Sequence, residues 1–243
     1  MDATLPPLRR AVFRLAEWGA ALSASYHRAR LMGVEHLPKQ GAALLVGNHG
    51  VWGYETPAFF HLLHAATGRH AQGLAERGFF RIPVVRTVLP WLGGVEGTRE
   101  NGLAALRQGQ LVVCYPGGAH ETFKLPRARY RLRWDRALGF VRLAARAGVP
   151  VIPFAGFGVD DTFWWPPAAE RLRVRLAPGE KYRVPLLLGL GPLPRPVRLT
   201  FAVGAPHAPP PENAPEPRLR AFRERLATSV RLLLAAAAIE SPP

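Results

Sequence analysis

Residues 41–67 read GAALLVGNHGVWGYETPAFFHLLHAAT, and their pattern decides the fold. Residues 42–46 are a short continuous apolar run, which predicts a buried strand. The run stops at Asn48-His49-Gly50. Residues 56–67 then read as a helix, with Pro57 in the first turn, where a missing N–H is tolerated. A strand leading through a glycine-punctuated turn into a helix is the unit of an α/β sheet.

The same alternation continues along the chain. Leu103 to Arg107 belongs to a helix, and residues 110–115 form a strand closed by Pro116-Gly117-Gly118. Residues 135–147 (DRALGFVRLAARA) form an amphipathic helix that Gly148 stops as a C-cap. Residues 149–155 form a strand whose Pro150 and Pro153 suit an edge or irregular position. A last strand at 199–203, a Pro-rich connector at 206–217 and a final amphipathic helix at 218–238 complete the order. The reading is a single α/β domain, a mixed sheet flanked by helices, over residues 33–243. An N-terminal amphipathic helical segment, residues 1–32, precedes it.

Within that segment, residues 8–30 read as one helix. Leu8, Val12, Leu15, Gly19, Leu22 and Tyr26 recur at the spacing of a helical face, flanked by arginines and near Trp18. Such a stripe either lies in a membrane interface or packs on the protein's own core. The apolar, Gly- and Pro-broken segment 184–195 reads as a loop or surface hairpin and is a second candidate for membrane contact.

Composition narrows the partners. The 243 residues carry a formal charge of +15, almost all from arginine, since lysine occurs only at Lys39, Lys124 and Lys181. Such a surface suits anionic lipid headgroups or phosphorylated substrates. The arginines are scattered, and no helix-turn-helix, zinc finger or RNA-binding aromatic motif is present, so no nucleic-acid partner is expected. Cys114 is the only cysteine, which excludes an intrachain disulfide and a cysteine-based zinc site. No window is apolar enough to span a bilayer. The expectation is a cytoplasmic protein, peripheral on the inner face of the cell membrane.

Several chemistries are excluded directly. Serine occurs only at Ser23, Ser25, Ser229 and Ser241, so there is no nucleophile elbow. Phosphate-binding-loop and dinucleotide fingerprints are also missing. His61, His64 and His70 lack a carboxylate signature for metal, and no metal is expected. What remains is a histidine acting as base on a hydroxyl that the substrate brings. His49 stands at a strand end beside Gly50 and Gly53, with Glu55 six residues further on, able to hold its second ring nitrogen if the turn folds back. Arg99 lies in a glycine-punctuated turn, where a guanidinium can pair with phosphate. The amides of Gly117 and Gly118 can form an anion nest, and Glu121 adds an acid at the same rim. Lys124, with Arg127, Arg129, Arg131 and Arg133, can grip phosphates or form the charged face of a half-buried strand.

Taken in order, these blocks resemble the glycerolipid acyltransferase superfamily over roughly residues 33–208. They are Asn48-His49 with a downstream acid, a Gly-rich block with Arg99, Pro116-Gly117-Gly118, and VPVIP at 149–153. The acid stands at Glu55 rather than at Tyr54, and Pro-Gly-Gly is followed by Glu121. Both features, with YRLRWDRALGFVRLAARAGVPVIP at 130–153, are similar to the diacylglycerol-acyltransferase-like branch. That branch usually carries Asp at the acid, so Glu55 is a departure. The resemblance implies acyl transfer from acyl-CoA or acyl carrier protein to a lipid hydroxyl, with no cofactor beyond the thioester. It implies His49 as base, Glu55 as its partner, Arg99 on a phosphate, and residues 117–121 near the developing charge or acceptor. Other acceptors, a wax alcohol, glycolipid or carotenoid glycoside, keep the same chemistry. A non-catalytic lipid-binding relative is the other alternative.

Overall fold

Residues Ala43–Gly47 form a strand that is buried along its whole length. Leu44 and Val46 enter one apolar cluster while Ala43 and Leu45 enter another, so alternate side chains feed opposite faces. A continuous apolar run is what a strand covered on both sides requires. The protein is described by a computed structural model over residues 6–164, 173–174, 184–185 and 193–241.

In chain order the elements begin α1 (Pro7–Tyr26), β1 (Arg30–Met32), β2 (Ala43–Gly47), α2 (Glu55–Thr67) and β3 (Gln72–Ala75). Next come α3 (Pro83–Trp91), β4 (Gly94–Glu96), α4 (Arg99–Arg107), β5 (Leu111–Cys114) and α5 (Gly118–Thr122). The chain continues through α6 (Gly139–Ala147), β6 (Val151–Phe157), the short β7 (Arg173–Val174) and β8 (Val184–Pro185), β9 (Thr200–Val203) and α7 (Glu216–Ile239). The main sheet has seven strands in the order β1-β9-β6-β2-β5-β3-β4. Neighbours are parallel except β6 and β9, so the sheet is mixed, as expected. Residues of α4, α6 and α7 pack on one face, and α2 with the end of α1 on the other. Since β2, β5 and β6 are parallel, their carboxyl ends share one rim, where open α/β sheets bind ligands.

Three local expectations change. The first helix ends at Tyr26, not at residue 30: Arg28 takes a left-handed φ of 44°, and Arg30–Met32 pairs with β9. The segment set apart as 1–32 therefore contributes a strand to the main sheet. Second, β6 is central rather than an edge. Pro153 is tolerated because the ladder to β9 ends at Phe154 and Val203, and Pro153 O still accepts from Gly204 N at 2.9 Å. Third, residues 124–133 form no strand; a short 3-10 turn, Pro126–Ala128, is followed by Tyr130 at a φ of 58°. The helix expected at 135–147 begins only at Gly139, and Gly148 closes it in the left-handed conformation, as expected. In the 184–195 segment, β8 occupies Val184–Pro185, and residues 186–192 lie outside the described ones.

The apolar stripe of α1 does not pack on the core. Leu8, Leu15 and Leu22 are exposed, as is Trp18 at 65%. The helix instead packs against α2, with Ala24 in the core and an edge contact from Phe13 to His70, just past the end of α2. No described helix is long and apolar enough to cross a membrane.

Gly47 is where β2 meets the bulk of its neighbour. A Cβ there would lie 2.5 Å from the ring of Phe154, its register partner. Because that ring is itself buried, Gly47→Ala is expected to lower unfolding free energy by about 1–3 kcal/mol in urea titrations, through overpacking. An unchanged midpoint would mean that the ring can move aside.

Candidate active site

The sheet ladders stop just short of His49. The last β2 pairs are Val46 with Cys114 and Gly47 with Phe154. Beyond them the backbone must find other partners. Asn48, buried, supplies the first: its amide donates to Gly156 O at 3.0 Å and accepts from Gly156 N at 2.8 Å. This side chain extends the sheet by one backbone-like pair and fixes the chain as it leaves the strand.

The turn then reverses. A 3-10 segment, Val51–Gly53, contains Trp52 at a φ of 60° and Gly53 at 70°. A left-handed tryptophan costs about 1–2 kcal/mol, which the surrounding contacts must offset. The reversal carries Glu55, the first residue of α2, back beneath His49. His49 Nδ1 and Glu55 Oε1 are 2.6 Å apart, and Gly50 N donates to the same oxygen at 2.9 Å. A Cβ on Gly50 would come within 2.7 Å of Glu55 Oε2, so only glycine fits this close approach. The imidazole keeps 17% of its surface exposed and the carboxylate 2%. Burial pushes the Glu55 carboxyl up, but the His49 charge and hydrogen bond, with backbone amides, outweigh it and hold the group below its ordinary value. An ionised Glu55 accepts, so Nδ1 carries the proton and Nε2 is the nitrogen left to take one.

Above the ring lies Tyr115, stacked at 3.9 Å between centroids and 9° between planes. Its hydroxyl is 3.2 Å from Thr56 Oγ1. Burial first, and then the Glu55 charge, raise this phenol well above its ordinary value, so it stays neutral. The position reads only as the first residue of Tyr-Pro-Gly-Gly in sequence, and nothing in that motif reveals the stack.

Glu121 and Lys124 do not point outward. Glu121 is fully buried and accepts from His49 N at 2.8 Å and from Arg133 N at 2.7 Å. The Lys124 ammonium donates to His49 O at 3.0 Å and pairs with Asp160 Oδ2 at 2.7 Å, with 1% of the side chain exposed. An ammonium committed to Asp160 is not available to grip a headgroup, which corrects the reading of Lys124 as a surface cation. Asp160 went unnoticed in the sequence; its signal is the acid pair Asp160-Asp161 just past a strand end. Burial raises the carboxyls of both Glu121 and Asp160, with Lys124 opposing the shift in each case.

Gly117 and Gly118 serve the turn itself. A Cβ on Gly117 would strike the Glu121 side chain at 2.3 Å, and Gly118 has a φ of 47°. The Gly118 amide donates to Tyr115 O at 2.9 Å, so it is already engaged and does not complete the expected two-amide nest. Arg99 is not brought to His49. It is exposed at the start of α4, after β4 at the far edge of the sheet, on the rim that β2 shares. His64 and His70 stack at 4.1 Å and 9°, with His70 Nε2 3.9 Å from Glu17 Oε1. One ligand atom from each of Glu17, His64 and His70 lies within 4.8 Å of the others, so the fold supplies from α1 the carboxylate that the local sequence around these histidines lacks.

The sequence profile of a family described as Diacylglycerol acyltransferase matches residues 44–184 of this chain. The human protein named "DGAT1/2-independent enzyme synthesizing storage lipids" is 28% identical over 165 residues, covering 64% of this chain and 50% of that protein. The Arabidopsis thaliana protein "Phytyl ester synthase 2, chloroplastic" is 32% identical over 135 residues, 53% of this chain and 19% of its own length. The chain thus spans half or less of the length of these relatives. Among solved structures, the 1-acyl-sn-glycerophosphate (LPA) acyltransferase PlsC from Thermotoga maritima superimposes with a TM-score of 0.56. That match covers 93% of this chain and 80% of that one at 17% identity, a likeness of fold.

The depressed Glu55 carboxyl fixes the sign of a pH effect. Its stabilisation is fully present above the ordinary value of 4.5 and is lost as pH falls through the lower folded value. Glu55→Gln is therefore expected to be less stable than native protein by about 1–3 kcal/mol at neutral pH. In urea titrations the difference should shrink as pH falls below 4.5. A gap independent of pH would show that the carboxylate's charge contributes nothing.

Proposed function

Because the chain belongs to the diacylglycerol acyltransferase family, we propose that it moves a fatty acyl group from acyl-CoA or acyl carrier protein to the hydroxyl of a membrane lipid. The observation that carries this reading is the 2.6 Å contact between His49 Nδ1 and Glu55 Oε1, at the carboxyl rim of the parallel strands. Nε2 of His49 takes the acceptor's hydroxyl proton as the oxygen attacks the thioester carbonyl. Glu55 retains the Nδ1 proton and stabilises the imidazolium. Collapse of the tetrahedral adduct breaks the C–S bond, and the imidazolium returns its proton to the departing thiolate. A thioester is already activated for attack, so the proposed reaction uses no further cofactor.

The contact supports catalysis over lipid binding alone, since a mere binding surface has no use for a buried carboxylate on the ring. Glutamate in place of the usual aspartate is accommodated because Glu55 opens a helix, and its longer side chain reaches back across the turn. The acceptor is a lysophospholipid, diacylglycerol or a related lipid alcohol. The relative named as a phytyl ester synthase makes a long-chain alcohol a natural member of the trial panel. Exposure of Arg99 on the same rim supports its pairing with a phosphate of donor or acceptor.

The setting we propose is peripheral, on the inner face of the cell membrane. The exposed Leu8, Leu15, Trp18 and Leu22 of α1 form an apolar stripe on a chain of +15, which suits an anionic interface. Replacing both Leu15 and Trp18 by Asp is expected to reduce co-sedimentation with vesicles containing anionic lipid, with the circular dichroism spectrum unchanged. Undiminished sedimentation would remove α1 from the contact.

Acyl transfer from labelled acyl-CoA, and then from acyl carrier protein, to lysophospholipids, diacylglycerol and long-chain alcohols tests the activity. Turnover by native protein is expected to fall about 100- to 10,000-fold in folded His49→Ala, the usual range for a lost general base. Equal rates from both proteins would leave His49 a turn residue.

A further inference from the structure

Resting on the acyl-transfer reading above, we propose that Glu121 and Lys124 are positioning residues, which orient the His49 base by holding its main-chain N–H and C=O, one on each side of the Cα. The backbone at His49 has left the sheet, so its N–H and C=O have no strand partners. Both are taken by side chains of one short segment. Glu121 accepts the N–H at 2.8 Å, and Lys124 donates to the C=O at 3.0 Å. Glu55 fixes the ring nitrogen, but the direction in which the ring leaves the main chain is set by the peptide. The two controls are separate.

Each holder is itself held. The second oxygen of Glu121 accepts from Arg133 N at 2.7 Å. The Lys124 ammonium is anchored by Asp160 at 2.7 Å, and the same Asp160 oxygen accepts from Tyr130 N at 2.6 Å. Tyr130 reaches onward: its hydroxyl donates to Asp161 and accepts from Gly158 N at 3.0 Å. Three stretches of chain thus converge on the main chain of His49 in the turn after β2: α5 with the residues just after it, the 130–133 strap, and the turn after β6. Burial of Glu121, Lys124 and Asp160 keeps water from competing for these bonds, and it also keeps substrate from reaching them. The clamp accounts for Pro-Gly-Gly-x-x-Glu as a device acting through His49. Gly117 leaves room for the Glu121 side chain to turn back, and one helical turn then places the acid under the base.

The test compares native protein with Glu121→Gln and with the paired Lys124→Met/Asp160→Asn, which removes both buried charges together. Melting temperature, kcat and KM are measured, along with the downfield imidazole proton of the His49–Glu55 hydrogen bond in NMR spectra without substrate. With folding retained, kcat is expected to fall about 10- to 100-fold, the cost of a displaced catalytic group, while KM stays within about twofold. The imidazole proton signal should broaden or shift in both variants. Native kcat with an unchanged signal would overturn the proposal, leaving the clamp as scaffolding. A raised KM with native kcat would also overturn it, by making these side chains substrate contacts. If native protein transfers no acyl group to any acceptor, the enzymatic reading fails, and the imidazole signal still reports whether the clamp orients His49.

Discussion

A peptide that leaves its sheet in a buried place must still have its N–H and C=O bonded, and the rest of the site depends on how residues 48–50 meet that demand. Asn48 uses its side chain as a counterfeit strand residue against Gly156. His49 is bonded through Glu121 and Lys124, and Gly50 through Glu55. The partners come from three other stretches of the chain: β6, α2, and α5 with the residues just after it. The turn is therefore rigid only when β2, α2, α5 and β6 are all in place, which makes the site a product of the whole sheet rather than of one loop.

This solution concentrates charge where it is expensive. Glu55, Glu121 and Asp160 are buried near His49, and Lys124 is buried with them. Ionising a buried carboxylate is unfavourable unless hydrogen bonds and countercharge compensate. The compensation is uneven. Contacts with His49 outweigh burial at Glu55, whereas burial prevails at Glu121 and Asp160. The carboxylate that touches the ring is thus the one most strongly kept ionised. That is the state in which it can fix a tautomer. The left-handed Trp52 adds strain to the same turn, and backbone strain of this kind tends to gather at functional sites.

Away from the rim the balance is reversed, with apolar surface left uncovered. The α1 stripe has ideal helical periodicity and yet faces out, while Ala24 and the contact with α2 tie the helix down. Periodicity announces an apolar face but not what covers it. A protein core and a lipid interface ask for the same spacing, so only placement against the sheet could separate them.

Much of the architecture was legible because it is written locally. The apolar run of β2, the helix after Pro57, the stop at Gly148 and the order of the motif blocks depend on neighbours a few residues apart. So does the spacing of His49 and Glu55, which a single turn can close. What sequence alone misplaced was non-local. Arg30–Met32 became a strand because β9 offered an edge, and Pro153 sits mid-sheet because its missing N–H falls where a ladder ends. Lys124 looked like a surface cation until Asp160, far along the chain, was seen to bury it. Tyr115 covers His49 only because β2 and β5 are adjacent. The residue types available for chemistry, and their order, belong to the sequence. Which of them are buried and paired around His49, and which stay exposed, was decided by tertiary structure, because burial and pairing depend on segments that the chain's local pattern cannot relate.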